Sequence, residues 1–322
     1  MARMSIHDTL FMRLFGGKLG MSVSVFLELV EAKAKIASVF PFFMGLFYAN
    51  TVFHHVNWPL MGLFFVAMLL FNMAVDAHDN YSDYRHATAE ADEWKQQTNI
   101  IGVHHLSLGL IRWLIILFAG TAALIGIVMV ALTGWPLLVM GMFCFAVGYF
   151  YAAGPRPIST TPFGEVTSGL TMGFVICLIT VYLNLPANQT LTWTVFWQVL
   201  LVSGLAVFAI SNIMLANNLS DADEDRLLKR KTIVYYVGKP AMLKVFSWSY
   251  VLGYGCLIVS VVLHLLPWFS LLVLLSAPIV LKNTRYFLAK QVKKETFKYA
   301  VQNALVIALF SIISGVLGMV FN

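Results

Sequence analysis

The sequence has 322 residues, of which 60% are hydrophobic and 11% are charged, and its mean hydropathy is +0.81. Soluble domains carry about 25% charged residues, so this composition excludes a soluble globular domain and indicates a polytopic membrane protein. The formal net charge is +6, which membrane topology explains better than nucleic-acid binding. The three cysteines sit singly in apolar runs and therefore indicate neither a disulfide nor a thiolate metal site.

The predicted elements divide the chain into residues 1–35, a cytoplasmic segment with an interfacial helix at 9–18 or 25–35, and residues 36–322, a transmembrane domain. Most of the apolar runs in this domain approach the ~20 residues that a helix needs to cross a bilayer. These runs cover residues 36–54, 58–75, 108–132, 135–153, 163–184, 193–216, 243–265, 268–283 and 300–321. The predicted fold is an all-α bundle of nine transmembrane helices.

The charges are distributed unevenly among the connections between these runs. All 21 Lys and Arg residues lie in, or within a few residues of, the segments 1–35, 76–107, 154–162, 217–242 and 284–299. The alternate connections have none. This positive-inside pattern predicts a multi-pass protein of a cell membrane whose N-terminus and charged loops are cytoplasmic. All 15 acids lie on the same predicted side, which orientation alone does not require.

The second run ends in a row of polar side chains. Asn72, Asp76, Asp79 and Asp83 are spaced i, i+4, i+7 and i+11. On a helix these positions stay within a stripe of about 60°, so the side chains share one face. We therefore predict that the helix carries this row out of the membrane.

The sixth run ends in a similar row. Asn217, Asp221 and Asp225 are spaced i, i+4 and i+8, which on a helix is an advance of about 80°. Such hard oxygen ligands suit Mg²⁺, which binds a few carboxylates together with phosphate oxygens and water. The bases that follow suit a polyanion: Arg226, Lys229, Arg230 and Lys231. Taken alone, the segment is equally consistent with a solvated, charged loop.

The two rows are related by a constant spacing. A distance of 142 residues separates Asp79 from Asp221 and also Asp83 from Asp225. Each row follows the second helix of a four-helix set, which predicts an internal four-helix duplication with one central site. Facing carboxylates repel unless cations lie between them, so two Mg²⁺ and a bound diphosphate are expected. A diphosphate at the end of a membrane cavity indicates a polyprenyl diphosphate.

At these residues the chain resembles the UbiA superfamily of intramembrane aromatic prenyltransferases, which have nine helices and aspartate-rich motifs after helices two and six. Residues 217–232, NNLSDADEDRLLKRKT, are most similar to the branch that prenylates 1,4-dihydroxy-2-naphthoate on the way to menaquinone. Residues 151–157, YAAGPRP, and the following Gly164-Glu165 also resemble that branch. One departure is Val75, which stands where the first family motif usually has Asn; Asn72 lies one turn earlier on the same face.

The resemblance implies a Mg²⁺-dependent transfer of a prenyl group from a polyprenyl diphosphate to the naphthoate. Pyrophosphate and CO₂ are lost, and a demethylmenaquinone forms. It implies that the metal is held by the acidic rows, namely Asp79, Asp83, Asp221 and Asp225 with help from Asp76 and Asn217. It also implies that further polar residues bind the two substrates, namely Asn72, Lys33, Tyr151, Arg156, Arg230 and Lys231.

Other functions remain open at this point. A prenyltransferase of the same superfamily that acts on another aromatic acceptor, such as 4-hydroxybenzoate or haem, has the same acidic rows. An ion-coupled transporter also combines repeats with acids, but it usually binds ions near the bilayer midplane rather than beside a basic cluster at the helix ends. A non-catalytic lipid-binding scaffold needs neither row. The polar loop 84–105 is either a lid over the diphosphate or an ordinary connector.

Overall fold

The computed structural model of the chain describes residues 21–86, 96–187, 189–227 and 230–321. The regular structure in these ranges is helical. Eight helices there are long and apolar enough to cross a membrane, and a bent pair of helices supplies a ninth span. This result confirms the predicted all-α polytopic fold. The interfacial helix predicted at residues 9–18 lies outside the described ranges.

The spans are named α1 to α9 in chain order. Their bounds are Ile36–Phe53 (α1), Trp58–His86 (α2), Leu108–Thr133 (α3), Trp135–Ala152 (α4), Gly164–Tyr182 (α5), Trp193–Val202 with Gly204–Ser220 (α6), Lys239–Val262 (α7), Trp268–Ala289 (α8) and Lys293–Phe321 (α9). The two segments of α6 meet at a bend of 55°. The observed helices extend beyond the predicted runs mainly at the charged end of the bundle.

α2 shows this extension most clearly. The apolar run that predicted it stops at residue 75, whereas the helix continues to His86. Residues 76–86 contain neither Gly nor Pro, so nothing in the backbone interrupts the helix. Tertiary contacts also stabilise this end, because the Ser82 hydroxyl donates a hydrogen bond of 2.6 Å to the Ala152 carbonyl of α4. The acids of the first row therefore lie on a continuous helix.

Short helices surround the charged end. They include Val23–Leu29, the 3₁₀ helix Ala32–Lys35, Ile100–Val103, Ala222–Leu227 and Ile233–Val237. Buried Leu29 and Ile101 pack with Ala77 of α2 in one apolar cluster. Residues 21–35 and the described end of the loop 84–105 are thus fixed against α2. Residues 87–95 of that loop lie outside the described ranges, so its role as a lid stays a prediction.

The opposite end of the bundle holds the connections that lack Lys and Arg. The Asn57 amide donates a hydrogen bond of 2.7 Å to the Asn184 side-chain oxygen, and the Tyr182 hydroxyl donates one of 2.5 Å to the Thr133 carbonyl. Three connections predicted on the outer side therefore meet at one end. Which end faces the cytoplasm stays a prediction from the charges.

α1 lies at the centre of the bundle, where it packs on α5 and α9. Its Phe47 and Tyr48 side chains are almost fully buried. Two glycines permit the close approach of the neighbouring helices. A Cβ on Gly45 would lie 2.7 Å from the Cys177 carbonyl oxygen, and a Cβ on Gly315 would overlap the Phe47 ring. These contacts are typical of membrane helices, which associate through small residues.

The middle of α5 is a π-helical segment, Gly169–Val175, which faces α6. Gly173 approaches the α6 backbone so closely that a Cβ would lie 2.7 Å from the Val207 Cα. π-helical turns often mark functional positions in helices. α2 lies mainly against α3, whereas the second segment of α6 packs on α5 and α7 to a similar extent and also on α9. The predicted duplication remains a prediction.

Candidate functional site

The first acidic row is held by a lysine from the N-terminal segment. Asn72 and Asp76, one turn apart on α2, both accept hydrogen bonds from the Lys35 ammonium group. The Lys35 and Asp76 side chains are only 13% and 20% exposed, so this is a largely desolvated ion pair. Lys33, the lysine predicted to bind substrate, lies on the same short helix but is exposed. The cation at the first row is therefore Lys35.

The second acidic row is held in the same manner. Asn217 and Asp221 both accept hydrogen bonds from the ammonium group of Lys293, the first residue of α9. Both rows thus present one amide oxygen and one carboxylate oxygen, four residues apart, to a single cation. Backbone bonds continue the row in a helical manner, because the Asp225 amide donates a hydrogen bond of 2.8 Å to the Asp221 carbonyl. The Asp225 side chain is buried.

The two rows face each other at the charged end. The Arg230 guanidinium lies 3.5 Å from Oδ1 of Asp83, the last acid of the first row. The Arg230 amide also donates a hydrogen bond of 2.9 Å to the Asp225 carbonyl, which fixes the basic segment beside the second row. Asp79 lies within electrostatic range of groups from both motifs, namely Asp76, Asp83 and Arg230. The structure therefore brings the two motifs to one place.

The donor atoms fit a hard divalent cation in type. Oxygens of Asn and Asp are the ligands that Mg²⁺ prefers, and each Asn–Asp pair already binds one cationic nitrogen. In the described part of the chain, however, no three His, Cys, Asp or Glu side chains lie close enough together to hold a metal ion. Lys35, Lys293 and Arg230 lie among the carboxylates instead. Metal binding by the four aspartates therefore stays a prediction, and it requires these cations to move.

The remaining predicted substrate residues differ in their placement. Tyr151, at the end of α4, points its hydroxyl to within electrostatic range of both Asp79 and Glu165. Arg156 is exposed in the loop that follows α4. Lys231 is also exposed, and its ammonium lies 5.7 Å from the centre of the Tyr235 ring. Tyr151 thus lies inside the site, whereas the two cations lie at its exposed margin.

Two residues at the site, Lys293 and Glu165, were not identified as functional from the sequence. Lys293 is one of many Lys and Arg residues on the charged side, and nothing in its sequence context distinguishes it. Glu165 is only 6% exposed, and its Oε1 accepts a hydrogen bond of 2.8 Å from the Asn218 side-chain amide. Acids at the start of an apolar membrane helix are uncommon and usually functional, so the sequence alone could have marked Glu165 as a candidate functional residue.

Known proteins similar to this chain also indicate a membrane prenyltransferase fold. The profile of the UbiA prenyltransferase family matches residues 38–312. The 1,4-dihydroxy-2-naphthoate octaprenyltransferase of Bacillus subtilis (strain 168) is 30% identical to the chain over 196 residues. That alignment spans 60% of the chain and 60% of the relative.

Two solved structures are similar in fold. The apo structure of a UbiA homolog from Aeropyrum pernix K1 has a TM-score of 0.68 at 15% identity and covers 88% of this chain and 98% of its own. The structure of a UbiA homolog from Archaeoglobus fulgidus bound to DMAPP and Mg²⁺ has a TM-score of 0.54 at 13% identity, with 92% and 99% covered. The profile match over most of the chain, together with nine helices that bring two acidic motifs to one end, shows that the chain belongs to the UbiA prenyltransferase family.

Proposed function

We propose that this protein transfers a polyprenyl group from a polyprenyl diphosphate to 1,4-dihydroxy-2-naphthoate, releases pyrophosphate and CO₂, and forms the hydroquinone form of a demethylmenaquinone. The observation that carries the proposal is the contact of Arg230 with Asp83, which joins the basic segment of one motif to the acids of the other. Family membership supports prenyl transfer, and the name of the Bacillus relative supports the naphthoate acceptor.

The metal in this proposal is Mg²⁺, held by Asp79, Asp83, Asp221 and Asp225 with Asp76 and Asn217. When bound, Mg²⁺ supplies Lewis-acid stabilisation of the negative charge that develops on the leaving diphosphate. The Archaeoglobus homolog bound to DMAPP and Mg²⁺ supports this metal and this class of substrate. The Asn–Asp pair of each row gives separate support for a bound cation, because each pair already binds a lysine ammonium group in the structure.

The chain's own cations bind the diphosphate. Arg230 lies between the rows, and its planar guanidinium suits two phosphate oxygens at once. Lys231 directly follows Arg230 in the chain, and Lys231 and Arg156 are both exposed, so they add positive charge where the polyanion enters. With Mg²⁺ held by the acidic rows, Lys35 and Lys293 would be free to leave the Asn–Asp pairs and bind phosphate oxygens. The prenyl chain then lies among the apolar helices, which keeps water from the allylic carbon.

The orientation is part of the proposal. We place the N-terminal segment and both acidic rows on the cytoplasmic side of a bacterial plasma membrane, because all Lys and Arg residues lie on or near that side. The acceptor then arrives from the cytoplasm and the prenyl donor from the bilayer.

The test is a transfer assay with purified protein in lipid nanodiscs. A polyprenyl diphosphate and Mg²⁺ are supplied with 1,4-dihydroxy-2-naphthoate or with 4-hydroxybenzoate, and products are identified by mass. The expected product has the mass of the naphthoate plus the prenyl group minus CO₂, and chelation of Mg²⁺ stops its formation. If only 4-hydroxybenzoate gave a product, the proposed acceptor would be wrong. If neither acceptor led to release of pyrophosphate, the proposed function itself would be contradicted.

A further inference from the structure

A buried carboxylate at the start of α5 has one oxygen without a partner. The Glu165 side chain is 6% exposed, and its Oε1 is bound by Asn218. Its Oε2 is buried and has no hydrogen-bond partner among the residues that the structure describes. An unsatisfied buried acceptor is costly, and more so when it belongs to a charged group. The open oxygen therefore points to a donor that arrives with a ligand.

Glu165 lies between the two acidic rows without belonging to either. The Tyr151 hydroxyl is within electrostatic range of both Glu165 and Asp79. On the other side, Glu165 accepts its hydrogen bond from Asn218, which lies on the same turn of α6 as Asn217 of the second row. A molecule bound against Oε2 therefore lies next to the place where the diphosphate is proposed to bind.

The position of Glu165 is fixed by two helices. Its backbone carbonyl accepts hydrogen bonds of 3.0 Å from the hydroxyls of Ser168 on α5 and Ser211 on α6. Gly169 makes room for this contact, because a side chain there would overlap the Ser211 hydroxyl. Such support from a second layer of contacts is what a preorganised functional group requires.

The other acids near the site are less suited to receive a new donor. Asp76 and Asp221 are bound by lysines, and Asp83 lies beside Arg230. Glu31 is exposed to solvent. Glu165 combines burial, a fixed position and an open oxygen, and it belongs to neither of the acidic rows that are proposed to hold the metal.

We propose that Glu165 is a catalytic residue that binds a ring hydroxyl of the aromatic acceptor and takes its proton during transfer. This inference rests on the proposed function. As the O–H bond breaks, its electron pair forms a C=O bond, and the ring carbon that bears the carboxylate forms a C–C bond to the prenyl group. The allylic C–O bond breaks, and its electron pair leaves with pyrophosphate. A positioned general base contributes typically 10²- to 10⁴-fold to such a step.

The proton on Glu165 then returns to the product. The prenylated ring is a β-keto acid, because the carboxylate lies next to the new C=O group. It loses CO₂, and the electron pair of the broken C–C bond forms an enolate. The enolate oxygen takes the proton back from Glu165, which gives the hydroquinone and restores the carboxylate. Protons and electrons balance without any further reactant.

The first test is the variant Glu165→Gln. Gln keeps an oxygen for Asn218 but places an amide NH₂ where Oε2 was, so the size is retained and the proton acceptor is lost. We expect kcat for transfer to fall by about 100-fold or more. Mg²⁺-dependent binding of a non-reactive prenyl thiolodiphosphate is expected to stay unchanged, because the acidic rows are intact. The matched control is Glu295→Gln, the same change at an exposed ion pair with Lys290, and it should transfer at the wild-type rate.

The outcomes separate the two proposals. A Glu165→Gln variant that transfers at the wild-type rate would overturn the role of Glu165 and leave the proposed function standing. A wild-type protein that prenylates no aromatic acceptor would overturn the proposed function itself. If Glu165→Gln does not fold, Glu165→Asp serves instead: it moves the carboxylate back by one methylene, so kcat should fall while the KM for prenyl diphosphate is unchanged. An unchanged kcat in that variant would likewise contradict the inference.

Discussion

The Arg230 guanidinium lies 3.5 Å from Oδ1 of Asp83, although the two residues belong to motifs in opposite halves of the chain. Both side chains are more than a third exposed, so the ion pair itself adds little stability. Its importance is geometric, because it sets the basic segment of the second motif over the acids of the first. A diphosphate bound at this place meets carboxylates from two helices and a cation between them.

The acidic rows are tested by Asp79→Asn and Asp221→Asn. Each substitution keeps the shape of the side chain and removes a charged metal ligand, so we expect transfer to fall by at least about 100-fold. The proteins should still insert and show wild-type melting in detergent. The matched control is Asp223→Asn, an exposed acid in the same segment, which should keep its activity. Full activity of both row variants would eliminate the metal mechanism.

The two lysines are tested by Lys35→Met and Lys293→Met. Each ammonium occupies the oxygens that a metal would use, so its removal should tighten Mg²⁺ binding several-fold in the absence of diphosphate. The KM for prenyl diphosphate should rise in the same variants, because a phosphate-binding cation is lost. Isothermal titration and steady-state kinetics measure the two effects. Lys294→Met, at the exposed neighbour of Lys293, is the control, and equal Mg²⁺ affinity in all variants would contradict the exchange of lysine for metal.

The packing of α1 on α9 is tested by Gly315→Ala. The new Cβ would overlap the Phe47 ring, which is fully enclosed, so the helices must separate. Overpacking of this kind typically costs 1–3 kcal/mol, so we expect a lower melting temperature in detergent. Gly126→Ala on α3 is the matched control, because its Cβ meets nothing within 4 Å. Equal melting of the two variants would show that the contact does not hold the bundle together.

The orientation is tested by cysteine labelling from one side of the membrane. Single cysteines at Ala187 and His264, which are exposed positions near Pro186 and Pro267 in connections without Lys or Arg, should react with a membrane-impermeant maleimide from outside. A cysteine at Lys294 should react only after the membrane is opened. The background for these variants has the native Cys144, Cys177 and Cys256 replaced by serine or alanine. Reversed labelling would invert the proposed topology.

Much of the fold could be predicted because hydropathy marks a membrane helix directly. The run at 36–54 agrees with α1 to within a residue. The apolar run at 58–75 marks only part of α2, since hydropathy reports transfer into lipid, whereas a helix continues wherever its backbone is unbroken. The 55° bend in α6 also has no mark in hydropathy, because it lies inside one continuous apolar run.

The candidate site was predictable in part. Both acidic rows follow from helical spacing, which depends on neighbours along the chain. Lys35 and Lys293 could not be singled out as the bases that contact these rows, because those contacts join residues that are far apart in sequence. The open oxygen of Glu165 is likewise a property of the folded chain, since it depends on which donors α6 places nearby.

The length of α2 has a consequence for how the two substrates meet. Its 29 residues extend about 43 Å, whereas the hydrocarbon layer of a bilayer is about 30 Å thick. Measured from Trp58, Asp76 lies about 27 Å along the helix and Asp83 about 38 Å. The first acidic row therefore extends from the edge of the hydrocarbon layer into the headgroup region. The proposed reaction would then take place at the boundary between lipid and water. The negatively charged aromatic acceptor would not have to enter the lipid, and the prenyl chain of the donor would not have to leave it.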